Sequence, residues 1–165
     1  MELRFSDFDQ REQELAGRLA RVQHFCRSLA VSVLICGGLI WFLVYGENFR
    51  ALPGIPPSLP LSLTALAMIL MLVGSRLRGA IVRRAFPSHP SLPVHEEAVI
   101  AAYQKASLIS FVLLDAAAVL GLAVALLSGS ALYGGVLCAA ALIGMLVRWP
   151  RAAELDRLLR GRASL

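Results

Sequence analysis

The sequence predicts an all-α integral membrane protein, a four-helix bundle with both termini in the cytoplasm and an amphipathic helix at each end. At 165 residues it has the length of one domain, but its hydrophobic content of 58% and mean hydropathy of +0.69 exceed those of soluble folds. A helix rising about 1.5 Å per residue needs about 20 residues to cross about 30 Å of hydrocarbon. Four apolar runs reach or approach that length, and they cover residues 29–45, 60–75, 106–127 and 131–147. Because backbone amides in lipid must be paired within their own segment, each run is predicted to be a helix.

Lysine and arginine are distributed unevenly among the connections between these runs. Of the 16 basic residues, five precede the first run, five separate the second from the third, and five follow the fourth. Arg50 alone lies in the first connection, and the third connection has no charge. The positive-inside rule places the arginine-rich segments in the cytoplasm. The prediction is therefore a bacterial inner-membrane protein with its N- and C-termini inside.

Residues 1–28 are predicted to form a cytoplasmic amphipathic helix that leads into the first span. Apolar side chains recur there at helical spacing, and the opposite face carries charged residues. Two interpretations remain open, a helix lying on the inner leaflet or a docking helix for a partner subunit. The apolar stripe consists of Phe8, Leu15, Leu19, Val22, Cys26 and Leu29.

The arginines that flank the spans are predicted to contact anionic lipid headgroups. They lie next to the four-helix domain (residues 29–148) or in a basic amphipathic tail (residues 149–165), and aromatic residues are not interleaved with them. Lipid is therefore the predicted partner, and nucleic acid is not. The candidate headgroup contacts are Arg76, Arg78, Arg83, Arg84, Arg148, Arg151, Arg157 and Arg160.

The third and fourth spans contain small residues four positions apart, a pattern that lets helices pack closely. The third span has Ala117, Gly121 and Ala125, and the three-residue connection Ser-Gly-Ser joins it to the fourth. We therefore expect a close hairpin. In the fourth span the predicted packing pairs are Gly135 with Ala139 and Ala140 with Gly144.

Asp115 is the only acidic or basic side chain inside the four runs, ten residues into the third. An intramembrane acid costs about 3 kcal/mol on insertion scales, so it is a functional candidate by default. At 100° per residue it lies about 120° from the small-residue ridge, in a different stripe. The other members of that stripe are Leu108, Phe111, Val112, Val119, Leu122 and Leu126.

Three interpretations of Asp115 follow, because no lysine, arginine or histidine lies in the other runs. It forms a structural hydrogen bond, with Ser32, Ser62 or Thr64 as polar candidates, although these are expected at other depths. It contacts a cation or polar group on another subunit. It carries a proton or ion.

The segment Asp115 to Leu127, DAAAVLGLAVALL, resembles the carboxylate-bearing helix of rotary ATPase c subunits. The resemblance covers about 20 residues of the third span, and the preceding span lacks the closely spaced glycines of that family. It implies that Asp115 binds a transported proton or sodium ion.

No catalytic constellation is found in the sequence. Intramembrane aspartyl proteases need two aspartates, and a serine or cysteine hydrolase needs a base at the same depth. His89, His95 and Glu96 are too few for a metal site on a proline-rich connection. We therefore predict no enzyme activity, no cofactor and no metal.

The predicted function is a non-catalytic accessory or structural subunit of a larger inner-membrane complex, docking through its transmembrane helices and N-terminal helix. The alternative is a small homo-oligomer that translocates protons or ions through Asp115.

Overall fold

The computed structural model describes residues 3–43, 54, 56–84, 94–151 and 154, which contain four α-helices and no β-strand. Three of the helices contain segments long and apolar enough to cross a membrane, at Leu19–Trp41, Ser58–Arg84 and Glu97–Ser128. The fourth is apolar but has only 17 residues. The all-α prediction is confirmed for this part of the chain. The helices are α1 (Leu3–Trp41), α2 (Ser58–Arg84), α3 (Val94–Ser128) and α4 (Ala131–Val147).

The first three helices extend beyond the apolar runs that predicted them. Helix α1 is continuous over 39 residues, so the predicted N-terminal helix and the first span are one element. At about 1.5 Å per residue it is about 58 Å long, almost twice the hydrocarbon thickness. Helices α2 and α3 extend toward the prolines that separate them: α2 ends at Arg84, the sequence then has Pro87, Pro90 and Pro93, and α3 begins at Val94.

Helix α3 is central and contacts each of the other three helices. Its buried side chains Phe111, Leu114 and Ala118 share one apolar cluster with residues of α1 and α4. A second cluster joins Ala117 and Val124 of α3 to α2 and α4. This arrangement leaves α3 with little free surface, and what it does expose is confined to narrow strips.

Helices α3 and α4 form a close hairpin through Gly129, whose φ of 64° lies in the left-handed region that favours glycine. A Cβ at Gly134 would lie 2.5 Å from the Gly121 carbonyl oxygen and 2.6 Å from the Ala125 Cβ. Only glycine therefore permits this approach. One side of the contact consists of Gly121 with the buried Ala117 and Ala125, the predicted ridge.

The face of α4 that packs differs from part of the prediction. Nothing lies within 4 Å of a Cβ placed at Gly135, and Ala139 is exposed, so this pair does not pack against α3. The buried face instead follows Gly134, Leu137, Cys138, Ala141 and Met145. Gly144, also predicted, does meet α3, because a Cβ there would lie 3.1 Å from Leu114.

The described part of the N-terminal apolar stripe packs inside the chain. Leu19 lies in a buried cluster with Ile100 and Tyr103 of α3, while Val22 and Cys26 join the main core. These residues cover neither lipid nor a partner subunit. The side chains of Phe8 and Leu15 lie outside the described part, as do residues 44–53, His89, the side chains of His95 and Glu96, and the residues from 155 onward.

Candidate functional site at Asp115 and Arg78

Asp115 lies at the edge of the seam between α1 and α3. On one side are Phe111 and Leu114, which are fully buried in the core cluster shared with α1. On the other side, Val112 and Val119, one turn before and one turn after the acid, are each 48% exposed. Within the predicted stripe, Phe111 is therefore buried and the two valines are exposed, and the other members, Asp115 included, are partly buried.

The Oδ1 atom of Asp115 is buried and has no hydrogen-bond partner among the described residues. The Cys36 thiol of α1 is a titratable neighbour, close enough to interact electrostatically with the carboxylate. Ser62 and Thr64 are engaged elsewhere, each donating at 2.8 Å to a carbonyl of its own helix, and Ser32 does not bond to Asp115. The hydrogen-bonding interpretation thus finds no partner in the described part of the chain.

Two further polar side-chain atoms of α3 are buried in the same way. The hydroxyls of Ser107 and Ser110 are buried and have no hydrogen-bond partner within the described ranges. They lie on the face that packs against the rest of the bundle, since the Ser110 carbonyl lies close to Gly74 of α2. An unsatisfied neutral hydroxyl costs about 1–3 kcal/mol, less than an unpaired carboxylate in the same surroundings. Of the three groups, Asp115 therefore has the largest energetic cost of lacking a hydrogen-bond partner.

Arg78 forms the opposite kind of site, in which each polar group has partners. Its guanidinium donates to the Arg148 carbonyl oxygen at 2.9 Å, to the Tyr103 hydroxyl at 3.2 Å and to Glu154 at 2.8 Å. The Tyr103 hydroxyl donates to the same Glu154 carboxylate at 2.9 Å, and the guanidinium lies 5.4 Å above the Tyr103 ring. We call the group Arg78, Tyr103, Glu154 and the Arg148 carbonyl the arginine clasp.

The clasp joins the end of α4 to α2 and α3. The Arg148 carbonyl is at the C-terminal end of α4, where the helix dipole favours a positive charge. Beside it, Gln23 of α1 donates to the Pro150 carbonyl at 3.1 Å, and the Trp149 and Phe111 rings meet edge to face at 5.9 Å. All four helices therefore converge here.

Tyr103 and Glu154 were not singled out by the sequence analysis, yet α2 carries a signal for the position of Arg78. Ala67 and Gly74 are the buried residues of that helix, and Arg78 follows them at intervals of seven and four. This spacing keeps Arg78 on the buried face. An arginine on that face needs internal partners, and the sequence does not specify which residues supply them.

The predicted headgroup arginines separate into different environments. The Arg78 side chain is only 12% exposed and is engaged within the chain. Burial, with the positive charge of Arg78, lowers the pKa of the Arg148 guanidinium below its ordinary value. The headgroup role stays a prediction for Arg148 and for the exposed set, and Arg157 and Arg160 lie outside the described residues. The exposed set is Arg76, Arg83, Arg84 and Arg151.

The three cysteines Cys26, Cys36 and Cys138 are buried and free. Cys138 donates to the Ala118 carbonyl at 3.5 Å, which fixes it against α3. Within the described residues, no group of three or more histidine, cysteine or acidic side chains is placed to hold a metal ion.

Comparison with known proteins assigns the chain to no family, since no family model, no curated protein and no solved structure matches it.

Proposed function

We propose that this chain is a non-catalytic accessory or structural subunit of a larger protein complex in the bacterial inner membrane, with both termini in the cytoplasm. The observation that carries the proposal is the buried, unpartnered Oδ1 of Asp115 in the most apolar part of α3. A carboxyl group in that position costs about 3 kcal/mol on insertion scales. A second subunit that supplies a cation or hydrogen-bond donor removes much of that penalty when it docks.

The surroundings of Asp115 support access from outside the bundle. The acid is only partly buried, and the exposed Val112 and Val119 flank it along the outer surface of α3. A helix lying on this strip would reach the carboxyl group without disturbing the core. We name the strip Val112, Asp115 and Val119 the docking strip.

A single polar contact does not hold a complex together. Interhelical hydrogen bonds in membranes contribute about 0.6–2 kcal/mol, so packing of the apolar surface around the docking strip must supply the rest. Of the N-terminal apolar stripe, Leu19, Val22 and Cys26 do not contribute to docking, because they are already buried within the chain. The proposed contact therefore centres on the docking strip.

Co-purification of the tagged chain from native membranes in mild detergent tests the proposal. Wild type is expected to recover larger membrane subunits, and Asp115→Leu to recover at least about fivefold less, since about 1 kcal/mol of lost contact corresponds to that factor. Asp115→Asn retains hydrogen bonding and should fall between them. Leu66→Ala, on an exposed face of α2, is the matched control and should leave recovery unchanged. Equal recovery with Asp115→Leu and wild type would refute docking through this residue.

The alternative function is a small homo-oligomer that translocates protons or ions through Asp115. The absence of a positively charged partner for this acid among the described residues supports it as well, because such an acid is free to exchange a proton. Purification separates the two proposals. A symmetric assembly of this chain alone, with Asp115 reacting with a hydrophobic carbodiimide, supports translocation, whereas unlike subunits on the docking strip support the accessory role.

A further inference from the structure

We propose that the guanidinium of Arg148 binds the phosphate of an anionic lipid headgroup, at a site next to the arginine clasp. The inference is independent of the proposed accessory function, because it concerns the end of α4 rather than the docking strip. It also separates one arginine from the set that the sequence treated alike.

The described residues around Arg148 carry more positive than negative charge. Arg78 and Arg148 are close enough for the charge of one to act on the other. Arg78 is paired with Glu154 at 2.8 Å, and that carboxylate also accepts from Tyr103. Within the described ranges, no ion pair and no hydrogen bond engages the Arg148 guanidinium.

The backbone of Arg148 is held on both sides. Its amide donates to the Gly144 carbonyl at 3.3 Å, and its own carbonyl accepts from Arg78 at 2.9 Å. The next residue, Trp149, is fixed by its edge-to-face contact with Phe111. An arginine whose backbone is already fixed loses less conformational entropy when it binds a ligand than one whose backbone must also be ordered.

The chemistry of the guanidinium selects an oxygen anion. Its planar fork of N–H groups matches phosphate with two parallel hydrogen bonds, and it is more weakly hydrated than an ammonium group. Partial burial removes water from the group and strengthens the attraction to an anion. Arg148 follows directly on the apolar helix α4, which is where the phosphate layer begins if α4 lies in the membrane.

Lipid titration of the purified full-length chain in a nonionic detergent tests the site. Phosphatidylglycerol, phosphatidylcholine and inorganic phosphate are added separately, and bound lipids are counted by native mass spectrometry alongside the thermal midpoint. We expect saturable binding of phosphatidylglycerol that Arg148→Gln weakens at least about fivefold, in line with about 1 kcal/mol per arginine at a membrane surface. The comparison variant Arg151→Gln removes an exposed candidate headgroup contact three residues away and should weaken binding less than Arg148→Gln does.

Each other outcome counts against the proposal. If wild type shows no saturable preference for phosphatidylglycerol over phosphatidylcholine, the site does not exist. If Arg151→Gln weakens binding as much as Arg148→Gln, the effect is general surface charge. If inorganic phosphate gives the same stabilisation, the ligand is a soluble anion and not a lipid. Should Arg148→Gln fail to fold, Arg148→Lys decides, because it keeps the charge without the planar fork and is expected to bind more weakly than wild type.

Discussion

The arginine clasp and the surroundings of Asp115 treat a buried charge in opposite ways. At the clasp, the Arg78 guanidinium has three hydrogen-bond acceptors drawn from three separate segments of the chain. At Asp115, the bundle encloses Oδ1 and supplies no donor from the described residues. Both groups lie on helices that pack in the same core, so position alone does not explain the contrast.

From this difference we infer that the two ionisable groups have different roles. A charge whose partners all come from its own chain holds the fold together, as Arg78 does for α2, α3 and the end of α4. A charge that the fold leaves unpaired destabilises the isolated chain and is retained for an interaction with something else. Substitutions at the two sites should therefore change stability in opposite directions.

The largest change in stability is expected for Arg78→Ala, which removes the central side chain of the arginine clasp. The Arg148 carbonyl and the Tyr103 hydroxyl each lose a partner, so we expect the free energy of unfolding in detergent to fall by about 2–3 kcal/mol. The ion pair itself adds little to this value, because Glu154 is about half exposed. Denaturant unfolding followed by circular dichroism measures the change.

Arg76→Ala is the matched control, since Arg76 is exposed on the same helix and is expected to change stability by no more than about 0.5 kcal/mol. An equal loss in both variants would mean that general charge, and not the clasp, stabilises this end.

A smaller effect of opposite sign is expected for Asp115→Leu. Removing a buried carboxyl oxygen that has no donor should stabilise the isolated chain by about 1–2 kcal/mol, measured by the same unfolding assay. Ser128→Ala is a suitable control, because its hydroxyl already donates to the Val124 carbonyl at 2.7 Å and has no such penalty to relieve. Destabilisation by Asp115→Leu would show that the acid has a partner within its own chain.

The smallest expected effect is that of Glu154→Gln. The amide still accepts hydrogen bonds from Arg78 and Tyr103, so only the charge is lost, and at a half-exposed position this is expected to cost less than about 1 kcal/mol. The cost should shrink further at high salt, which screens exposed charges. Unfolding measured at low and high ionic strength tests this. A large loss of stability that does not depend on the salt concentration would contradict it.

Hydropathy predicted the helices but not their ends. The apolar runs identified all four elements, because burial of the backbone in lipid leaves no other local structure. Helices α1, α2 and α3 extend past their apolar runs, since a helix continues as long as one face can pack, as Leu19 does against Ile100 and Tyr103.

The contacts between helices could be predicted less well. Helix α4 has small residues on several adjacent faces, so spacing alone gave Gly135 with Ala139 where the structure uses Gly134. Which face packs depends on the neighbouring helix and is not encoded in a local pattern. The clasp was missed for the same reason, because the three partners of Arg78 lie 25 to 76 residues away from it in the sequence. Asp115, by contrast, was identified at once, since an acid in an apolar run is a local signal.

Site-specific photo-cross-linking in native membranes tests the central claim most directly. A photoreactive side chain is placed at Val119 on the docking strip or at Val73 on α2, two valines with similar exposures of 48% and 45%. The account predicts a cross-link to a different membrane protein from Val119 that is lost when Asp115→Leu is added, and none from Val73. Equal cross-linking from both positions, or cross-linking from Val119 that persists with Asp115→Leu, would contradict docking at Asp115.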